Sequence, residues 1–328
     1  MSLETPIRHI GVLTSGGDSP GMNAAVRAIV RTAVQRDIRV TGIVGGYSGL
    51  TNARYMPLGA RDVSNIIQRG GTILRTARCE EFRTPEGRAK AAQNIKAHGM
   101  EALLVIGGDG SFRGAKMLFE EHGTPILGLP GTIDNDLFGT DHTIGFDTAV
   151  NTAVEAIDKI RDTASSHDRL FFIEVMGRNS GFIAQACAVA AGAEFVLIPE
   201  RPQGIDELVR ALAEGAKTKS SSIVIVAEGD EEGGAFDVAR KVKQRYDHYD
   251  IRVSVLGHMQ RGGAPTANDR ILASRSGVAA VEYLLVGEHN AMVGVINGRI
   301  ALTPFSEAIG QQKQPDPELY RILGILAT

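Results

Sequence analysis

The chain has 328 residues, 43% of them hydrophobic, with 39 glycines and a formal net charge of −3. That length exceeds a usual single domain and predicts two packed domains, and the near-neutral charge excludes a global field for nucleic acid or an anionic membrane. Two cysteines, Cys79 and Cys187, exclude a disulfide framework or a cysteine-built metal site and fit a reduced, cytoplasmic setting.

Met1 to Ile10 carries Glu4 and Arg8 and no apolar run, so no signal peptide is expected. Ile10–Leu13 predicts a strand, Thr14–Pro20 a turn, and the alanine-rich segment from about Gly21 to Gln35 a helix. Val40–Val44 is the next strand. Ala102–Ile106 runs into Gly107-Gly-Asp-Gly110 and a helix near Ser111, and Ile126–Leu129 ends at Pro130-Gly131. This β-turn-α rhythm implies a parallel sheet with helices on both faces. From Val150 the period becomes helical, with Val150, Ala153, Val154, Ile157 and Ile160 on one side. Strands Phe171–Val175, Phe195–Ile198, Ile223–Ala227 and Val253–Leu256 then predict a second α/β unit beginning near Gly145. Gly181–Ile198 is the most apolar stretch, but Gln185 and Glu194 break it, so it reads as a core helix and strand rather than a membrane span. A helix Ala273–Leu285 and a strand Val293–Ile296 should rejoin the first sheet, and Gln311–Pro317 is a polar connector. No functional signal is read beyond Ile300. The expected fold is α/β: two doubly wound α/β domains with mostly parallel sheets and an active site in the cleft between them.

Three loops rich in glycine and aspartate follow strands of the first domain: Thr14-Ser-Gly-Gly-Asp-Ser-Pro20, Gly107-Gly-Asp-Gly-Ser111 and Pro130-Gly-Thr-Ile-Asp-Asn-Asp136. One such loop is often a plain tight turn. In a parallel sheet, however, all three would share the carboxyl edge, where glycine lets backbone N–H groups reach phosphate oxygens and helix N-termini add a favourable dipole. The aspartates can hold Mg²⁺ or accept a proton. No G-x-x-x-x-G-K-[ST] occurs, and Arg113 stands where a dinucleotide fingerprint needs its third glycine, so neither a Walker loop nor an NAD site is supported.

Together with Val175-Met-Gly-Arg178 and Leu256-Gly-His-Met-Gln-Arg-Gly-Gly263, in this order, these loops resemble the bacterial ATP-dependent 6-phosphofructokinase family over roughly Ile7 to Ile296. The resemblance implies an ATP-binding domain over 1–145 plus about 260–310, and a fructose 6-phosphate-binding domain over 146–259 plus about 311–328. Asp134 is then the general base for the sugar 1-hydroxyl, and Thr132 contacts the transferring phosphoryl group or the sugar. Asp109 is the Mg²⁺ ligand, assisted by Asp136. Gly17 gives a backbone N–H to the γ-phosphate, and Arg78 and Arg178 neutralise the charge that moves. Tyr47, Cys79, Gly108, Gly110 and Ser111 complete the ATP site, with Arg83 and Arg88 around the adenine; Cys79 and Arg75 depart from the family pattern there. Arg169, Arg252, His258 and Arg261 bind the sugar phosphate, and Met176, Gly177 and Glu228 touch the sugar. Because Arg169 and Arg252 reach in from a neighbouring subunit in the resembling enzymes, a homotetramer is expected. Arg27 and Arg31, on one helix face, join Arg61, Arg161, Glu194, Lys217 and Lys219 in an allosteric site for ADP or phosphoenolpyruvate. Ala60 stands where the family commonly has an arginine. Pyrophosphate-dependent relatives usually carry aspartate at the Gly110 position and lysine at the Gly131 position, so glycine at both implies ATP as donor. A pyrophosphate-dependent kinase, an NAD kinase and a non-catalytic regulatory subunit are the competing readings.

Overall fold

A computed structural model describes residues 7–164, 169–215 and 221–327. In chain order the elements begin β1 (His9–Thr14), α1 (Met22–Gln35), β2 (Arg39–Ile43), α2 (Gly46–Thr51), β3 (Tyr55–Leu58), α3 (Pro85–Ala97), β4 (Ala102–Gly107) and α4 (Asp109–His122). Next come β5 (Ile126–Thr132), β6 (Ile144–Gly145), α5 (Phe146–Ala164), β7 (Arg169–Val175), α6 (Phe182–Ala190), β8 (Phe195–Leu197) and α7 (Ile205–Gly215). The chain continues with β9 (Ser221–Ala227), α8 (Ala235–Arg245), β10 (Asp250–Val255) and α9 (Ala267–Leu285). It closes with β11 (Ala291–Ile296), β12 (Arg299–Pro304), α10 (Phe305–Ala308) and α11 (Pro317–Leu326).

The chain divides into two compact units. Unit 1 comprises Met1–Ile133, Leu137–Asp147 and Arg261–Lys313; unit 2 comprises Asp134–Asp136, Thr148–Gln260 and Gln314–Thr328. Unit 1 is an 8-stranded sheet in the order β12-β11-β5-β4-β1-β2-β3, with β6 paired to β5. Its centre is parallel, and β3 and β12 close the two edges antiparallel. Alternation along the strands sends side chains to opposite faces. Ile10, Val12, Leu104 and Ile106 pack with Met22, Ala25 and Ile29 of α1 and with Ala273, Ala280 and Val281 of α9. On the other face Leu13, Leu103 and Val105 pack with Ala91 and Ile95 of α3 and with Phe112, Ala115 and Leu118 of α4. Helices α1 and α9 approach closely because position 277 is glycine; a Cβ there would lie 2.7 Å from Ala28 Cβ.

Unit 2 carries a 4-stranded parallel sheet, β10-β7-β9-β8. One face buries Leu170, Phe172, Val224 and Val226 against Ile205, Leu208 and Leu212 of α7 and Ala235, Val238 and Val242 of α8. Sequence periodicity missed the helices α2, α3, α10 and α11, the two-residue β6, and the longer strands β3 and β12. The two strands are edges with few fully buried positions, and α3 has only a weak apolar stripe. No helix among the described residues is long and apolar enough to cross a membrane.

Candidate active site

Unit 1 gathers its loops at the carboxyl ends of β1, β4 and β5. Ser15 N–H donates to Ile106 O at 2.9 Å, tying the first loop to β4. A Cβ on Gly107 would lie 2.6 Å from Ser15 O and 2.5 Å from Ser111 Oγ, and one on Gly108 would lie 3.5 Å from Thr132 Cβ. Glycine at 107 is therefore a packing requirement where two loops and a helix start converge. Thr132, the last residue of β5, is buried, and its carbonyl accepts Thr143 Oγ1–H at 2.6 Å. Asp109 and Gly110 open α4, ahead of its first intrahelical bond from Phe112 N to Gly108 O. Their N–H groups sit at the positive end of the helix dipole, a favourable place for phosphate. Asp109 Oδ2 accepts from Arg113 Nε at 2.9 Å, and a Cβ on Gly110 would meet nothing within 4 Å.

The guanidinium of Arg261 lies over Gly17, where a Cβ would come within 2.5 Å of Nη1, and Nη1 donates to Asp18 O at 3.3 Å. Arg261, expected with the sugar-phosphate cations, thus belongs to unit 1 and rests on the first glycine loop. Tyr47 is buried, stacked on Phe82 with centroids 4.0 Å apart, and donates to Ser111 O at 2.5 Å. It buttresses the start of α4 from behind, and burial drives its phenol pKa upward. Arg78 is exposed and Cys79 half-buried, its sulfur 3.8 Å from Thr51 Oγ1. Arg83 pairs with Glu80 at 3.1 Å on the surface. Arg88 is turned into the protein rather than toward solvent. It is 2% exposed, holds both oxygens of Glu121 at 2.7 Å, and donates to Phe82 O and Arg83 O.

Asn23 is a residue whose part the sequence did not reveal. Buried on the apolar side of α1, it donates to Arg69 O and Gly70 O at 3.1 Å and accepts from Ile73 N at 2.8 Å. A polar side chain on that face was the available signal. With Thr14 Oγ1, which donates to Arg75 O at 3.0 Å, it fixes the segment leading to Arg78.

In unit 2, Asp134 is 7% exposed and Asp136 follows it within the same short segment. The turn after β7 carries Met176, Gly177 and Arg178, with Gly177 at φ 146° and Arg178 at φ 60°. A left-handed arginine costs roughly 1–2 kcal/mol. It is held by a bond from Arg178 N to Glu228 Oε1 at 2.7 Å. Glu228 follows β9, and His258 lies exposed after β10. Arg169 and Arg252 lie elsewhere. They occupy the amino ends of β7 and β10 and share Asp250, at 3.8 and 2.7 Å. The length of β7, about 20 Å at 3.3 Å per residue, separates that edge from the one bearing Met176, Arg178 and Glu228.

The residues expected to bind an effector are divided between the units. Arg27 and Arg31 on α1 and Arg61 after β3 are in unit 1. In unit 2, Arg161 donates to Ala191 O and Gly192 O, and Glu194 Oε2 accepts from Ile223 N at 2.6 Å. Lys217 and Lys219 lie outside the described residues. Among the described residues no three His, Cys, Asp or Glu converge on a metal position. Asp109 suits instead an ion that keeps its waters and is held mainly by phosphate oxygens, as Mg²⁺ is.

The sequence profile of the family described as Phosphofructokinase matches residues 9–284. The chain is 56% identical over 322 residues to "ATP-dependent 6-phosphofructokinase 1" of Thermus thermophilus, covering 98% of this chain and 100% of that one. It is 53% identical to "ATP-dependent 6-phosphofructokinase 2" of Bacteroides thetaiotaomicron, over 97% of this chain and 98% of the relative. A solved structure of phosphofructokinase from Saccharomyces cerevisiae superposes with a TM-score of 0.86 at 38% identity, over 92% of this chain and 45% of the yeast chain. The present chain thus spans less than half the length of that yeast protein. Profile, identity and superposition agree: this chain belongs to the phosphofructokinase family.

Proposed function

We propose that the chain is an ATP-dependent 6-phosphofructokinase. It transfers the γ-phosphoryl group of MgATP to the 1-hydroxyl of fructose 6-phosphate, giving fructose 1,6-bisphosphate and ADP. The observation that carries this reading is the convergence of three phosphate-suited loops on the start of α4, in a chain 56% identical along its length to a relative of that name. Unit 1 is the ATP-binding domain. Gly17 donates its N–H to the γ-phosphate, Gly108, Gly110 and Ser111 hold the phosphates, and Tyr47, Arg78 and Cys79 complete the nucleotide side. When bound, Mg²⁺ neutralises phosphate charge; Asp109 would hold it, with Asp136 acting through its water shell.

Unit 2 is the fructose 6-phosphate domain. Asp134 takes the proton from the sugar 1-hydroxyl, and Thr132 positions the group in flight. Arg178 and Arg78 stabilise the charge that spreads over the phosphoryl oxygens. Glu228, whose Oε1 already orients Arg178 through its N–H, and Met176 contact the sugar. His258 and Arg261 bind its phosphate. The separation of Arg169 and Arg252 from the Arg178 edge supports their service to the site of a second copy, and the resemblance to the family makes that assembly a homotetramer. The basic residues Arg27, Arg31, Arg61 and Arg161, with Glu194, form an effector site for ADP or phosphoenolpyruvate, and the enzyme works in the cytoplasm.

The test is phosphorylation of fructose 6-phosphate by purified protein with Mg²⁺ and either ATP or pyrophosphate. Turnover with ATP alone is expected. Turnover only with pyrophosphate refutes the donor, and none with either refutes the reaction. Sharing of sites is tested by mixing two inactive variants, Arg252→Ala and Asp134→Asn: hybrids regain activity if the arginine serves a neighbour and stay inactive if it serves its own chain.

A further inference from the structure

The turn that carries Arg178 has its own support inside unit 2. Ser180 is 5% exposed, and its Oγ lies 2.8 Å from Gly177 O and 3.1 Å from Asp134 O, so one hydroxyl proton is shared between two carbonyls. Ser180 N–H also donates to Gly177 O at 3.0 Å. The next residue, Gly181, is the N-cap of α6, and its N–H is held by both oxygens of Glu200 at 2.9 and 3.0 Å. Position 181 admits no side chain, since a Cβ would lie 2.3 Å from Ile198 Cβ. The C-terminal helix closes this arrangement. Arg201 lies over the Tyr320 ring at 4.7 Å from its centroid, and Gln185 of α6 donates to Asp316 O at 2.6 Å. Burial pushes the Glu200 carboxyl upward and the Tyr320 phenol likewise, with the nearby Glu200 charge adding to the latter. The sequence of this tail carries no recognisable functional motif.

We propose that Ser180, backed by Glu200 and α11, is the positioning residue that fixes the backbone at Asp134 relative to the Gly177–Arg178 turn. The inference rests on the kinase reading, in which Asp134 and Arg178 act on the same phosphoryl transfer. Ser180 is buried and acts through the backbone. It bridges two carbonyls, one of Asp134 and one immediately before Arg178, so losing it frees both to shift. A displacement on the order of 1 Å at a reacting group costs up to about 10²-fold in rate.

The experiment compares Ser180→Ala and Glu200→Gln with wild type. Ser180→Ala should lower kcat about 10- to 100-fold and leave the KM for MgATP within about two-fold, because the nucleotide loops belong to unit 1. Glu200→Gln keeps one acceptor for Gly181 and should give a smaller loss in the same direction. Amide hydrogen exchange over Val175–Gly181 should rise in Ser180→Ala, a readout that holds whatever the substrate. Unchanged kcat in Ser180→Ala, or unchanged exchange, overturns the proposal. If Ser180→Ala does not fold, Glu200→Gln decides: an unchanged kcat there overturns it too. Absence of turnover in the wild type overturns the kinase reading instead, and exchange then judges the positioning role alone.

Discussion

Placing aspartate at position 110 separates folding from donor use. A Cβ on Gly110 would meet nothing within 4 Å, and the residue stands in the first turn of α4. In the free protein Gly110→Asp therefore costs no packing, replaces the weaker helix former, and adds a negative charge at a helix N-terminus, worth about 0.3–1 kcal/mol in favour of folding. Once a nucleotide phosphate lies over that terminus the sign reverses. Two unit negative charges roughly 5 Å apart, at an effective dielectric constant of about 20, repel by about 3 kcal/mol. That corresponds to about a 10²-fold loss in kcat/KM for MgATP. The assay is a steady-state titration of MgATP at saturating fructose 6-phosphate, beside a thermal melt. The expected variant melts at or above the wild-type temperature while its MgATP efficiency falls about a hundred-fold. A kcat/KM within about three-fold of wild type, in protein that melts normally, refutes the reasoning. Gly131→Lys behaves differently. A Cβ there would lie 2.8 Å from Ile106 Cγ2 and 3.3 Å from Met22 Cε, so the change overpacks the core and costs about 1–3 kcal/mol of stability before any donor is considered.

Asp134→Asn should lower kcat by about 10²–10⁴-fold while fructose 6-phosphate still binds by calorimetry; wild-type turnover would remove the residue from the base role. Glu121→Gln leaves the buried Arg88 guanidinium without its counter-charge. Because Glu121 is itself 32% exposed, the cost should fall below the 3–5 kcal/mol of a fully buried pair, at about 2 kcal/mol in urea unfolding; a change under about 0.5 kcal/mol refutes this. His9 is buried and bonded to Gly99 O and Thr41 Oγ1. Desolvation first, then Arg39 and His98, hold its pKa below the ordinary 6.5, against opposing contributions from Gly99 O and Glu101. The unfolded chain therefore binds more protons, so stability is full above pH 6.5 and falls as the pH drops toward the lowered folded value. His9→Asn should flatten that slope in urea midpoints between about pH 7.5 and 5, and an unaltered slope would refute the assignment.

The main elements of both sheets were legible because their strands are short apolar runs closed by glycine. Ile10–Leu13 and Ala102–Ile106 gave such runs, and each lies inside an observed strand. Strand β10 begins at Asp250, before the apolar run that signals it, because its amino end is polar and carries Arg252. The glycine-aspartate loops were equally legible, since close backbone approach admits only glycine at positions such as Gly107. Arg88 was not. Its spacing fits a nucleotide-facing arginine as well as a buried one, and only Glu121, 33 residues away, decides between them.

What the sequence determined by itself was local: the short apolar runs that build two mostly parallel sheets, and the three glycine-aspartate loops that follow strands of the first. Tertiary structure decided what depends on distant partners. It set Arg261 over Gly17 across 244 residues, tied Ser180 to Asp134, and turned the unread tail into a helix packed on α6. Periodicity reports which face of an element is apolar, whereas a hydrogen bond or ion pair between remote segments exists only after the sheets have brought them together.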